Sequence, residues 1–384
     1  MERIRIVDAC ELLNGYAFKS ENYVDEGIRV IRIANVQKGY IEDNTPAFYP
    51  MDTEGLDRYM LEENDLLMSL TGNVGRVAIL KKEMLPAALN QRVACLRLRT
   101  DKISKGYLFH ILNSDSFEQK CIQSSKGVAQ KNMSTEWLKE FSIPVYPKEK
   151  QREITIILDY LRDIIDKRKQ ELYKFDELIK ARFVELFGDV RINSKGWDIC
   201  RFEEISDLIT DGEHATPRRT DKGIYLLSAS NVLNHSIQLN DVDYIDQDEY
   251  DRISKRIVPQ EGDVLISCSG SVGRCCSVPA GLKFQMVRSA ALIRFKSTIE
   301  PQFAEYMITS DYVQEQIESS KTASSQANLF QGKIAKLRGF VPPTELQNEF
   351  VSFVNQVDKS KVAVQKSLDE TQRLFDSLMQ EYFG

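Results

Sequence analysis

Three stretches of the sequence hold residue types that could do chemistry. Asp211-Gly212-Glu213-His214 sets an imidazole close to two carboxylates, the makings of a general base, but no nucleophile or metal partner for it stands out. A turn or binding-loop role is therefore expected for His214. Val341-Pro342-Pro343-Thr344 lacks the Asn and the aromatic of an Asn-Pro-Pro-Tyr loop, the groups that would hold a flipped adenine. Ser69-Leu70-Thr71-Gly72-Asn73-Val74-Gly75-Arg76 could cradle a phosphate on glycine amides. It joins two strand-like runs, however, with neither the Lys nor the following helix that such a cradle uses, so a tight structural turn is expected. No nuclease carboxylate cluster is convincing, and the chain reads as one that does no chemistry itself.

The cysteines point the same way. Cys10, Cys95, Cys121, Cys200, Cys268, Cys275 and Cys276 are odd in number, have no C-x-x-C spacing and are accompanied by only 3 histidines. They are expected to be idle reduced thiols, with no metal. With 42% hydrophobic and 28% charged residues the sequence can bury real cores. The N-terminus runs from Met1-Glu2-Arg3-Ile4-Arg5 into a strand-like alternation, and no stretch approaches a membrane span, so a cytoplasmic location away from membranes is expected. The net charge of −6 argues against a stand-alone nucleic-acid binder, although local basic clusters occur at Lys81-Lys82, Arg97 to Lys105, Arg218-Arg219-Lys222 and Lys255-Arg256.

The elements that must position these residues are duplicated. Phe187-Gly188 and Phe383-Gly384 each close a helical run and lie 196 residues apart. The same offset links Gly27-Ile28 to Gly223-Ile224, Asn35 to Asn231, Arg92 to Arg288, Gln130 and Asn132 to Gln326 and Asn328, and Gln151 to Gln347. Leu12 to Gly15 matches Leu208 to Gly212, and Glu63 to Arg76 matches Glu261 to Arg274, shifted by a residue or two. So long a period is a domain duplication and not a solenoid. The shared positions are mainly Gly, Asn and strand apolars, which makes the scaffold common and leaves the loops to differ.

Each copy reads as a strand-rich domain followed by a helix. Ile31 to Ile33, Asp65 to Leu70, Val77 to Leu80 and Val93 to Leu98 are expected as strands, and Gly106 to Asn113 and Ser116 to Ser124 as helices. Residues Ile154, Leu158, Leu161, Ile165, Leu172, Phe175, Ile179 and Leu186 follow alternating steps of four and three, interrupted by Arg168 and Arg182. The second copy repeats the stripe with Phe350, Val354, Val357, Val364, Leu368, Phe375, Leu378 and Tyr382, interrupted by Lys361 and Thr371. Each stripe would run on the order of 55 Å, too long for one small domain to cover, so mutual pairing of the helices is expected. The expected architecture is α+β: two duplicated strand-rich domains, 1–149 and 189–345, separated by two long antiparallel coiled-coil helices, 150–188 and 346–384, under a pseudo-twofold axis.

Over its whole length the sequence resembles the specificity subunit of type I restriction-modification systems. The resemblance is carried by Asn14-Gly15-Tyr16-Ala17-Phe18-Lys19, by Asp211-Gly212-Glu213-His214-Ala215-Thr216-Pro217, and by both copies of Asp-(Leu/Val)-Leu-x-Ser-x-x-Gly-x-Val-Gly. Ile143-Pro144 leading into Gln151-Arg152-Glu153-Ile154, with Pro342-Pro343 leading into Gln347, adds to it. The resemblance implies two target-recognition domains, each reading half of a split double-stranded DNA site, and helices that dock partners. Those partners would be two adenine methyltransferase (modification) subunits binding S-adenosylmethionine and two ATP-dependent restriction subunits using Mg, with no cofactor on this chain. The second stripe is more polar than the first, which leaves open whether its partner contact is equivalent.

Candidate DNA-binding residues are Asn14, Lys19, Arg76, Arg92, Lys126, Gln130 and Lys131 in the first domain, and His214, Arg218, Arg219, Arg274, Arg288, Gln326 and Asn328 in the second. For Arg76, Arg274, Arg92 and Arg288 a surface or structural salt bridge is the competing reading. A coiled-coil adaptor with two protein-binding domains would show the same duplication and stripes. A fused methyltransferase or nuclease is disfavoured by the absent motifs.

Overall fold

The computed structural model describes residues 2–125, 131–320 and 328–384. The chain folds as two units, residues 1–170 with 365–384, and residues 171–364. Both are α+β.

In the first unit a four-stranded antiparallel sheet runs in the order Cys10–Asn14, Val93–Leu98, Leu66–Ser69, Val77–Ile79. Leu66 and Met68 pack on one side with Leu108, Leu112, Ile154 and Leu158, while Leu67 packs on the other with Ile31, Ala78, Leu89 and Cys95. A strand covered on both faces reads as an unbroken apolar run, which is why Leu66-Leu67-Met68 does not alternate. A second sheet holds Ile28–Ile31 between Phe48–Tyr49, antiparallel, and Ala87–Leu89, parallel. The strand expected at Ile31 to Ile33 thus lies three residues earlier, at Ile28–Ile31. It stops there because Asn35 Oδ1 accepts the Arg32 amide at 2.9 Å and Asn35 Nδ2 donates to the Glu42 carbonyl at 2.8 Å, tying residues 32–35 into a turn. Helices Lys105–Leu112 and Asp115–Ser124 start at Ser104 and Ser114, whose side chains accept the Tyr107 and Phe117 amides.

The second unit repeats the plan. Its main sheet runs Ser206–Asp211, Ala290–Phe295, Val264–Ser267, Cys275–Ser277, again with Val264 and Ile266 on one core and Leu265 on another. Its second sheet gains a strand: the order is Arg219–Thr220, Asp243–Ile245, Ile224–Leu227, Phe284–Met286.

Each long helix has 40 residues, Lys148–Phe187 and Thr344–Phe383. A buried glutamine pins each to its own domain. Gln151 Nε2 donates to the Lys102 and Tyr146 carbonyls and its Oε1 accepts the Ser104 amide. Gln347 does the same with the Thr298 and Pro342 carbonyls and the Glu300 amide, at 2.8 to 2.9 Å. Within the second unit Asp176 meets Lys361 at 2.5 Å and Arg182 meets Glu349 at 2.6 Å, so the helices there run antiparallel. In the first unit Lys150 lies 5.6 Å from the Tyr382 ring, while Ile165 and Phe375 line one cavity, which requires the same direction.

Ile154, Leu158, Leu161, Ile165, Ile179, Phe350, Val354, Val357, Val364 and Leu368 are buried; Leu172, Phe175, Leu186, Phe375, Leu378 and Tyr382 are half-buried. Near the end of each helix the buried positions move one residue along, to Phe183 and Phe187 and to Met379 and Phe383. A helix of 3.6 residues per turn drifts against a strict heptad. At its last turns the core that covers the neighbouring position is that of the unit holding that end, Phe202, Phe303 and Phe340 around Phe183 and Phe187, and Tyr107 and Leu108 around Met379 and Phe383. Among the interrupting residues Lys361 and Arg182 are in the ion pairs above, and Thr371 Oγ1 donates to the Ser367 carbonyl.

Candidate nucleic-acid interface

The glycine stretch is a closed turn in both units. Ser69 Oγ donates to the Asn73 carbonyl and accepts the Arg76 amide, and the Gly75 amide donates to the Ser69 carbonyl. Ser267 Oγ likewise donates to the Ser271 carbonyl at 2.6 Å and accepts the Arg274 amide at 3.0 Å. Gly75 has φ +80°, and a Cβ there would stand 2.8 Å from Cys121 Sγ. The Gly72 amide is taken by the Lys131 carbonyl at 2.8 Å. Bonded in this way, the turn is a platform for neighbouring segments and not a phosphate cradle.

Three segments meet that platform in the first unit. Leu70 donates its amide to the Arg92 carbonyl at 3.0 Å, Met133 donates to the Leu70 carbonyl at 2.9 Å, and Tyr16 and Gln91 are bonded across the neighbouring turn. Asn14 ends its strand opposite Ala94. Asn14, Arg92 and Lys131 are exposed and are brought to one edge of the sheet. Arg76 is not free at that edge: it is half-buried and donates to the Gln37 side chain. Lys19 is exposed, 3.9 Å from Glu21.

The second unit builds the same edge. Cys268 donates to the Ser289 carbonyl at 2.7 Å, Leu329 donates to the Cys268 carbonyl at 2.9 Å, and Arg288 donates its amide to the Glu213 carbonyl at 3.1 Å. Ser269 bridges to Asn328. Asn328 thus takes the place of Asn132, but the backbone bonds put Ser289 in the place of Arg92 and Arg288 in that of Gln91, whose amide donates to the Tyr16 carbonyl. The match of Arg92 to Arg288 expected from the sequence is one residue off. Arg274 Nη2 donates to Ser271 Oγ at 2.5 Å. Lys126, Gln130 and Gln326 lie outside the described residues.

Around this second edge the charges are paired. Asp211 accepts Arg256 at 2.6 Å and His214 Nε2 at 2.9 Å. Burial works against ionisation of Asp211, but the hydrogen bonds from His214 and Arg256 outweigh it and hold the carboxyl below its ordinary value. Arg218 meets Asp246 at 2.8 Å and Arg219 meets Asp243 at 2.6 Å. His214 is tied to a carboxylate, and among the described residues no group of His, Cys, Asp or Glu is placed to hold a metal ion. Sequence reasoning missed Asp243 and Asp246. It also missed the repeated pairs Asp65–Arg97 and Asp263–Arg294, whose signal was present in Arg97 and Arg294 recurring near the common offset.

A family model described as the type I restriction modification DNA specificity domain matches residues 1–174 and 194–371. The chain belongs to this family. Membership makes it a DNA-specificity chain, a recognition component and not an enzyme. Among relatives of this specificity family, the type I restriction enzyme EcoBI specificity subunit of Escherichia coli is 25% identical over 417 residues, spanning 99% of this chain and 85% of that protein. The EcoAI specificity subunit of Escherichia coli is 30% identical over 197 residues, 50% of this chain and 33% of that protein. The fold is shared with the crystal structure of a type I restriction-modification S subunit from M. genitalium, at a TM-score of 0.59 and 14% identity, covering 100% of this chain and 96% of that one. A structure from work on assembly and conformational transition of the type I system matches with a TM-score of 0.55 and 18% identity, covering 100% and 97%. No described helix is long and apolar enough to cross a membrane.

Proposed function

We propose that the chain is the specificity subunit of a cytoplasmic type I restriction-modification complex, reading a bipartite double-stranded DNA target with one half assigned to each unit. The observation that carries this reading is the sheet edge built twice on the same backbone bonds, from Ser69 and Ser267 outward, with different side chains on it. Asn14, Lys19, Arg92 and Lys131 in the first unit, and His214, Arg218, Arg219, Arg288 and Asn328 in the second, are the described residues offered as contacts. Arg76 and Arg274 serve as turn supports in this reading, and Lys126, Gln130 and Gln326 stay among the candidates by sequence position.

The long helices dock the partners: two adenine methyltransferase subunits, which bring S-adenosylmethionine, and two restriction subunits, which bring ATP and Mg chemistry. Ile156, Tyr160, Tyr173, Leu178 and Val184 of the first helix and Val362 and Leu374 of the second leave apolar surface exposed, as docking helices would. Partners that supply non-specific phosphate affinity also accommodate the net charge of −6.

The test is an exchange of residues 1–149 for the matching domain of a relative, followed by mapping of methylated adenines in a host carrying the chain and its modification subunit. One half of the methylated motif should change and the other should stay. A simultaneous change of both halves would exclude two-reader recognition, and the absence of a salt-dependent shift of a mixed-sequence duplex, measured with the modification subunit present, would favour the adaptor.

A further inference from the structure

Two kinds of arginine–aspartate pair occur in the second unit, and the duplication separates them. Arg294 reaches Asp263 through Nε at 2.7 Å and Nη2 at 2.8 Å, using both carboxylate oxygens on a buried aspartate. The first unit repeats it with Arg97 and Asp65, so it belongs to the common scaffold. Arg219 and Asp243 have no such counterpart. The positions 196 residues earlier hold Tyr23 and Ala47. Tyr23 is half-buried with its ring 6.1 Å from that of Tyr49, and Ala47 is buried. Both members of the pair change together between the units, and the edge strand Arg219–Thr220 stands where the first unit has only the single bridge of Val24 to Phe48.

The geometry leaves a particular part of Arg219 free. Asp243 Oδ2 takes Nε–H at 2.6 Å, and the side chain is 46% exposed. Held at Nε, the guanidinium keeps its outer edge, Nη1 and Nη2, for two parallel hydrogen bonds, in a plane already set. Neighbouring Arg218 is held differently: Asp246 takes Nη2, which removes one prong of that edge, and its amide donates to Glu249 Oε1. A two-pronged donor matches the O6 and N7 acceptors that guanine alone presents in the major groove. The segment that carries it leaves the recognition edge at Glu213, whose amide and carbonyl are bonded to Met286 and Arg288.

Resting on the DNA-reading function above, we propose that Arg219, with Asp243 as its positioning residue, reads a guanine in the half-site of the second unit, and that the first unit has no equivalent reader. The experiment is selection from a random-duplex library by the full chain assembled with its modification subunit, for wild type, Arg219→Gln, Arg219→Lys and Asp243→Asn. Arg219→Gln and Arg219→Lys should both lose guanine preference at one position of one half-site by roughly five- to a hundredfold, the worth of one bidentate base contact, with the other half-site intact. Asp243→Asn should weaken preference at that same position to a smaller extent. An unchanged motif in Arg219→Gln, or a uniform loss of affinity across all sequences as a phosphate contact would give, overturns the guanine reading. Wild type that selects no motif at all overturns the underlying DNA-reading function instead.

Discussion

Asp263 and Arg294 form a two-pronged pair whose aspartate is almost completely shielded from water, and the same carboxylate also accepts the Gln260 amide at 2.7 Å. One side chain thereby fixes a neighbouring strand and the loop that enters its own. Asp65, Arg97 and the Glu62 amide repeat the arrangement in the first unit.

Removal of one partner leaves an arginine with its charge largely uncompensated and a loop amide without an acceptor. Asp263→Ala is expected to cost about 2 to 4 kcal/mol. Asp65→Ala should cost somewhat less in the other unit, because Glu62 still meets Arg97 at 3.1 Å. Denaturant unfolding checks both, and a cost below about 0.5 kcal/mol would show the pair to be incidental.

Six of the seven cysteines are buried, and none is in a disulfide. Burial pushes the thiols of Cys10, Cys121, Cys268 and Cys276 up to about 12, so the nucleophilic thiolate is scarce at neutral pH. Iodoacetamide at pH 7.5 or thereabouts should label Cys200, which is half-exposed, well before the others. Mass spectrometry of the labelled chain reads the order. Early labelling of Cys275, whose fully buried thiol is raised well above its ordinary value, would contradict the packing.

The carboxyl of Asp211 is held below its ordinary value, so its bonds to Arg256 and His214 stabilise the fold above the ordinary carboxylate range and are lost as pH falls through the lowered value. Asp211→Asn should cost about 1 kcal/mol at pH 7, the solvent-exposed partners keeping the figure small. The difference from wild type should shrink below about pH 4. Melting curves across that range measure it, and a gap that widened toward acid would reverse the sign.

Much of this architecture was legible because duplication supplies an internal control. The recurrence of Gln151 as Gln347 and of Asn35 as Asn231 marks buried side chains that satisfy backbone groups, a constraint independent of what the loops bind. The strand pair around the glycine turn was legible for the same reason. The end of the Ile28–Ile31 strand was not, since it is decided by Asn35 acting seven residues before its second partner, Glu42. The candidate site was legible as a neighbourhood only. Asn14, Arg92 and Lys131 carry no periodicity that announces a shared edge, and the carboxylates holding Arg218 and Arg219 come from a strand and a helix start more than twenty residues away.

The ends of the long helices offer the sharpest contrast between pattern and packing. A strict heptad places Leu186 in the seam, whereas the structure buries its neighbour Phe187, which stands 5.0 Å from the Phe303 ring and 5.7 Å from the Phe350 ring, centre to centre. Phe187→Ala would open a cavity among these rings and Phe183, and the cluster, closed by a strand at Phe340, has little freedom to collapse into it. The expected cost is about 3 to 5 kcal/mol. Leu186 is half-buried, so Leu186→Ala forfeits only part of a side chain's transfer and leaves no enclosed void; about 1 kcal/mol is expected. The same order should hold in the first unit, where Phe383 is buried and Tyr382 is not. Equilibrium unfolding of the two single variants, in each unit, ranks them directly. If Leu186→Ala proved as costly as Phe187→Ala, the heptad would extend unbroken to the helix end, and the one-residue shift of the buried stripe would be wrong.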